Sequence, residues 1–135
     1  MPSYFLHVHA NTNTLMLYIT PTFQILLFLV FAVGGAFRFF QPIDVLAKRM
    51  LWVKYFNPRV VRGIALIEVV CGIGIILPLI LTNTSFAFLL YSGCLLMATM
   101  LGAVITHLWI GDYKQILGNL LILAMTLWVT FPVLF

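Results

Sequence analysis

Charge is what this sequence has least of. Seven basic and three acidic residues make up 7% of its 135 positions, while 64% are hydrophobic and the mean hydropathy is +1.16. A soluble domain carries about 25% charged residues, and a chain this short has too little interior to hide so much apolar surface. The composition excludes a soluble fold and points to an integral membrane protein. Cysteine is nearly absent as well. Cys71 and Cys94 both fall inside apolar runs, which argues against a disulfide framework and leaves them as small packing residues. The N-terminal stretch "MPSYFLHVHANTNT" lacks basic residues. It therefore lacks the n-region of a cleaved signal peptide, and the first apolar run is expected to stay in the protein as a span. Also missing are a nucleophile elbow and a phosphate loop. The glycines of "CGIGIILP" have neither the strand, the turn nor the acidic residue of a dinucleotide fingerprint.

What charge there is lies close together. Six of the seven basic residues fall between Arg38 and Arg62, interleaved with Trp52, Tyr55 and Phe56. Basic residues among aromatics can bind nucleic acid, but these border two apolar spans and read as a juxtamembrane loop.

The expected fold is all-α: a polytopic membrane four-helix bundle, one domain over 1–135. Its spans are placed at about 21–40, 59–81, 85–109 and 115–135. Each has about the 20 residues that cross roughly 30 Å of hydrocarbon. Thr20 followed by Pro21 reads as a helix start. A short interfacial helix is expected at about 43–56, where Ile43, Leu46, Met50 and Val53 recur at helical spacing. Pro78 is expected to kink or end the second span, and "TNTS" to cap the third. Gly34, Gly35, Gly63, Gly72, Gly74, Ala98 and Gly102 are the expected sites of close helix packing. The positive-inside rule puts the Lys48–Arg62 loop and the Lys114 turn in the cytoplasm, and both termini outside.

With that topology the intramembrane polar residues fall at one level. Glu68 sits in the second span and His107 near the end of the third. Arg38 closes the first, and Asn119 lies a turn into the fourth. Arg62 and Asp112 flank them. Lipid-exposed charge is costly, so Glu68 is expected to face the interior and find a partner, with Arg38 and His107 the best placed. Two readings stay open for Glu68: a buried lock between helices, or a group that handles a ligand or proton. His107 is either a helix-end cap or part of that cluster. A metal site is not expected, because His107 has no second ligand at helical spacing. His7 and His9 read as a tail outside the bundle.

Three stretches in order resemble the DoxX-like family. "VVRGIALIEVVCGIGIILP" is similar to its second helix: a glycine, a Glu within the helix, then a Gly-rich run ending in Leu-Pro. "MLGAVITHLWIGD" is similar to the end of its third helix, and "FAVGGAFRFFQPIDVLAKRMLW" to its first helix and following loop. The family usually carries lysine near the place held here by Arg38, which keeps the charge and changes the geometry. The resemblance covers most of 25–130. It implies a four-helix bundle of the bacterial cytoplasmic membrane. Founding members are small subunits of a sulfur-oxidising, quinone-reducing complex, others are linked to oxidative-stress complexes, and distant relatives look like assembly factors. Fold transfers better than chemistry in such a comparison.

Three functions follow as expectations. The first is a quinone- or lipid-associated accessory subunit of a membrane redox system. A quinone head needs hydrogen-bond partners and a proton route in an apolar cleft, and Glu68, His107 and Arg38 could supply them. No electron-carrier motif is present, so such a chain would work beside a redox partner and not as an independent enzyme. The second is a structural or assembly protein, packed on a partner or on a second copy of itself. The third is a small transporter, which would require an oligomer because four spans are few and no inverted repeat is visible.

Overall fold

The computed structural model describes the backbone of residues 3–81, 83 and 86–131, and the side chains of these residues except 3–13 and 15. The architecture is all-α. Helix α1 (Ser3–Phe28) passes through a π-helical turn, Leu29–Val33, into α2 (Gly34–Phe40) without a break. Helix α3 (Ile43–Arg49) and a 3-10 helix (Leu51–Tyr55) follow, then α4 (Pro58–Ile80), α5 (Phe86–Ile110) and α6 (Tyr113–Thr130).

Among the described residues three segments are long and apolar enough to cross a membrane: Met16–Phe40, Pro58–Ile80 and Phe86–Ile110. At 1.5 Å per residue they reach about 34 to 38 Å, more than the hydrocarbon core. α6 is a fourth candidate of 18 residues, diluted at its start by Lys114, Gln115 and Asn119. The chain is a multi-pass membrane protein.

α4 packs on α1 and α2 on one side and on α5 on the other, while α6 closes the ring between α5 and α1. The core is apolar and close-packed: Leu27, Phe31, Cys71, Ile75, Leu89, Leu96, Met100 and Val129. Lipid is as apolar as leucine, so dispersion contacts hold these helices together more than any expulsion of water. Cys71 is buried and Cys94 exposed, and both are free thiols.

Several boundaries differ from the sequence expectation. Thr20–Pro21 does not start a helix; α1 runs straight through Pro21. In a membrane helix a hydroxyl can take up a carbonyl in the disturbed turn, and Thr22 Oγ1 donates to Tyr18 O at 2.7 Å. Pro78 lies inside α4, two residues before its end at Ile80, so that helix closes about where the sequence places it. Beside that proline the buried Gln24 donates from Nε2 to Ile75 O at 3.0 Å, so a side chain of α1 reaches the weakened turn of α4. The interfacial segment is two short helices, because Met50 is extended (φ −123°, ψ 107°). "LWVKY" is rich in weak helix formers. The break lets Val53 join Leu46 and Val61 in a small apolar cluster. Asn57 accepts from Arg59 N at 2.9 Å and Pro58 opens α4, so that helix begins where its cap predicts. Of "TNTS", residues 82, 84 and 85 lie outside the described residues, as do 132–135. His7 and His9 fall where only the backbone is described.

The small residues divide. Gly72 and Gly74 sit where another helix leaves no room for a Cβ, against Ala32 N and Ser92 Oγ, and Gly35 is tight, with Ala65 O 3.0 Å from a built Cβ. Gly93, absent from the expected set, lies equally tightly on Thr130. Among the described residues Gly63 and Gly102 have nothing within 4 Å of a built Cβ, and Ala98 is exposed. Gly34 has only ordinary contacts, the nearest being Arg38 Nη2 at 3.8 Å.

Candidate functional site

A cavity of about 500 Å³ opens between α2, α4, α5 and the start of α6, roofed by the segment Arg49–Phe56. Its walls bring together Arg38, Glu68, His107, Asp112 and Asn119. Arg62 is the one member of the expected polar set that does not line it.

The two ion pairs have different local origins. Arg38 lies on the last turn of α2 and Glu68 in the middle of α4; Arg38 Nη2 stands 2.6 Å from Glu68 Oε2. Glu68 is 5% exposed, and such burial of a carboxylate is tolerable only with a close, hydrogen-bonded cation. Gly35 is what lets them meet. It faces Ala65 O and Glu68 Cβ, one turn before Arg38, so α2 lies directly on α4.

The second pair comes from a turn. Gly111 adopts φ +81°, a left-handed conformation that suits glycine, and ends α5. The amides of Gly111 and Asp112 both fold back onto His107 O, at 3.0 and 2.9 Å. That return sets Asp112 Oδ2 3.4 Å from His107 Nδ1. The contact lies within ion-pair distance but lacks the geometry of a hydrogen bond, and Nδ1 has no other partner. His107 therefore pairs with Asp112, and Arg38 is the cation on Glu68.

Arg62 acts from outside the cavity. Nη1 donates to Arg38 O at 2.9 Å and Nη2 to Gln41 O at 2.5 Å, while its guanidinium lies 5.9 Å from the Phe39 ring. It caps carbonyls at the end of α2 and so fixes the turn that carries Arg38. Hydrogen bonds from a charged donor are worth about 1.5 to 3 kcal/mol. Arg62→Ala is expected to lose about that much, and Arg62→Lys most of it, since one ammonium cannot reproduce the two-pronged contact. Thermal unfolding of the purified variants checks this; equal midpoints for wild type and Arg62→Ala would remove the capping role.

Three of the residues that line the cavity each hold a fully buried nitrogen without a hydrogen-bond partner: Arg38 Nε, His107 Nδ1 and Asn119 Nδ2. Native interiors rarely leave such groups unmet, so these nitrogens mark where the packing beside the cavity is least satisfied. Arg49, Gln115, Thr99 and Thr106 also line the space. Gln115 sits one helical turn before Asn119, a spacing that the sequence displays. Arg49 had no such signal, because only the break at Met50 brings its segment over the cavity. Among the described residues no group of three His, Cys, Asp or Glu side chains could hold a metal ion.

The glycine-then-glutamate helix, the basic end of the first span and the histidine–turn–aspartate of the third now have a shared geometry. The DoxX-like family model matches residues 22–129. This chain belongs to the DoxX-like family. No curated protein and no solved structure matches it. The match takes in every charged residue of the DoxX-like chain, from Arg38 to Lys114, together with the whole cavity wall.

Proposed function

We propose that this DoxX-like chain is an accessory subunit of a membrane redox system that holds the polar head of a quinone or lipid between Arg38, Glu68, His107 and Asn119. The observation that carries this reading is the cavity itself. Its size lies in the range of small-molecule sites, about 300 to 1,000 Å³. It joins apolar walls at Met50, Trp52, Phe56 and Met100 to the polar residues Arg38, Glu68, His107 and Asn119. An amphiphile matches that division: head to the polar side chains, body to the apolar wall.

The proposed setting is the bacterial cytoplasmic membrane, with the cavity end of the bundle inside and both termini outside. Lys48, Arg49, Lys54, Arg59 and Lys114 all border that end, which supports the orientation. A carboxylate and a histidine there are placed to exchange protons with the cytoplasmic side. Electrons would come from a partner subunit.

Native mass spectrometry of the protein extracted in mild detergent tests the reading. A bound quinone or lipid is expected on the wild type and is expected to be depleted on Glu68→Gln, with membrane redox activity falling in parallel. A bare chain in both, with unchanged redox activity, would overturn it. One observation favours a second reading. Arg38 and Glu68 already satisfy each other, as a lock between α2 and α4 would. A purely structural or assembly role would make Glu68→Gln lower stability or partner recovery while turnover stayed the same.

A further inference from the structure

We propose that the cavity opens sideways into the bilayer beside Gly102, and that the missing side chain at this position keeps the entrance clear. The inference rests on the reading that the cavity takes a membrane amphiphile, and adds the route by which that amphiphile comes and goes.

A residue that both lines a cavity and is exposed stands at an opening. Four of the lining residues are exposed: Arg49, Leu51, Gly102 and Gln115. They differ in character and depth. Arg49 ends α3 and Gln115 lies in the first turn of α6, both at the basic end of the bundle. Gly102 lies eight residues before the end of α5, about 12 Å along its axis. Centred on a hydrocarbon core of about 30 Å, the 25-residue α5 overhangs by about 4 Å at each end. That puts Gly102 about 8 Å inside the hydrocarbon. An opening there faces lipid.

The edge at Gly102 is also clear and apolar. The segment Leu51–Tyr55 leans on α5 through Tyr55 and Trp109, whose ring centroids are 5.8 Å apart. Trp109 is seven residues past Gly102, on the same face of α5 and about 10 Å nearer its end. At Gly102 that face is uncovered: among the described residues nothing lies within 4 Å of a built Cβ. Thr99 and Thr106 line the space before and after it. Their hydroxyls donate to their own helix, to Leu96 O and Gly102 O, each at 2.8 Å. A head can pass such an edge while its tail stays in lipid. Entry past Arg49 and Gln115 would instead draw the methylenes of the tail through water. A glycine inside a helix also needs a reason, because it costs backbone entropy. Gly93, on the same helix, has one in its close contact with Thr130. Gly102 has no such neighbour, and an open entrance supplies the reason.

Cysteine labelling of the full chain in lipid nanodiscs tests the route. The parent carries Cys94→Ala, and its remaining thiol, Cys71, is buried and sets the background. A reporter, Ile64→Cys, is placed on the α4 wall of the cavity. Two reagents are compared, each against its own rate with a free thiol. N-phenylmaleimide dissolves in the bilayer; a trimethylammonium methanethiosulfonate stays in water. The maleimide is expected to label the reporter the faster. Gly102→Leu is expected to slow it about tenfold, Gly102→Ala by less, and neither to change the rate of the charged reagent. Ala98→Leu, a turn earlier on α5 and outside the cavity wall, is expected to leave both rates as they are. Faster labelling by the charged reagent would overturn the proposal, because entry would then be from water. So would maleimide labelling that Gly102→Leu leaves unchanged, an equal slowing of both reagents, or no labelling above the Cys71 background. The assay reads access and not occupancy, so its failure leaves the ligand reading to be decided by the mass spectrometry above.

Discussion

Glu68→Leu alone is expected to destabilise the protein by about 3 to 5 kcal/mol, and adding Arg38→Met is expected to return most of that loss. The single change removes a carboxylate that fits leucine's volume but leaves Arg38 facing an apolar wall. Its guanidinium already has one unpaired nitrogen, Nε, and would then lose its closest anion. Most of the cost is the stranded cation and not the vanished attraction. The double variant has no charge to strand, and two well-filled apolar side chains between α2 and α4 are compatible with the core around them. Reversible unfolding in mixed micelles, run as a four-member cycle, measures the coupling. A double variant as unstable as the sum of its parts would show that the pair does not act as a unit. The cycle also separates the two readings of Glu68. A lock can be replaced by leucine and methionine, whereas a ligand site cannot.

Gly72→Ala should cost about 1 to 3 kcal/mol, and Gly72→Val more. A Cβ at this position of α4 would lie 2.6 Å from Ala32 N and 3.1 Å from Phe31 Cβ. The nearest atom belongs to the backbone, in the π turn, so no rotamer change relieves the clash. The helices must part, and the Arg38–Glu68 contact one turn away parts with them. Gly102→Ala is the matched control, expected within about 0.5 kcal/mol of wild type, because nothing lies within 4 Å of the added carbon. Thermal midpoints of both variants decide it. Equal losses at the two positions would mean that Gly102, too, lies against a neighbour, which must then be another chain.

The sequence displays some of these features and conceals others for identifiable reasons. Long apolar runs with almost no charge leave few alternatives to membrane helices, and the Asn57–Pro58 cap marks the start of α4 without ambiguity. The need of Glu68 for a partner follows from the cost of charge in hydrocarbon alone. Which cation serves does not, since Arg38, Arg62 and His107 all sit at its level. The choice depends on backbone features with weak sequence signatures. Arg62 is drawn away by the carbonyls that end α2, and His107 is held by the return of the chain at Gly111. Thr20–Pro21 misled because the N-cap signal comes from helices in water, where an internal proline is far less well tolerated. Glycine spacing along α4 and α5 named candidates for close packing but not their direction. Gly72 and Gly102 look alike in sequence, and only the azimuth of each helix tells them apart.

The first span changes its own azimuth part-way along. The turn Leu29–Val33 is wound as a π-helix, which amounts to one residue more than an α-helix would use over the same rise. One residue is about 100° of rotation. Upstream of the turn, Leu27 is oriented for the core and Gln24 for Ile75; downstream, Arg38 is oriented for Glu68. In an unbroken α-helix Leu27 and Arg38, eleven residues apart, would fall within about 20° of one face; the π turn sets them on different faces. The π turn lets one continuous span obey two registers: a packing register toward the far end of the bundle, and a charge register at the cavity.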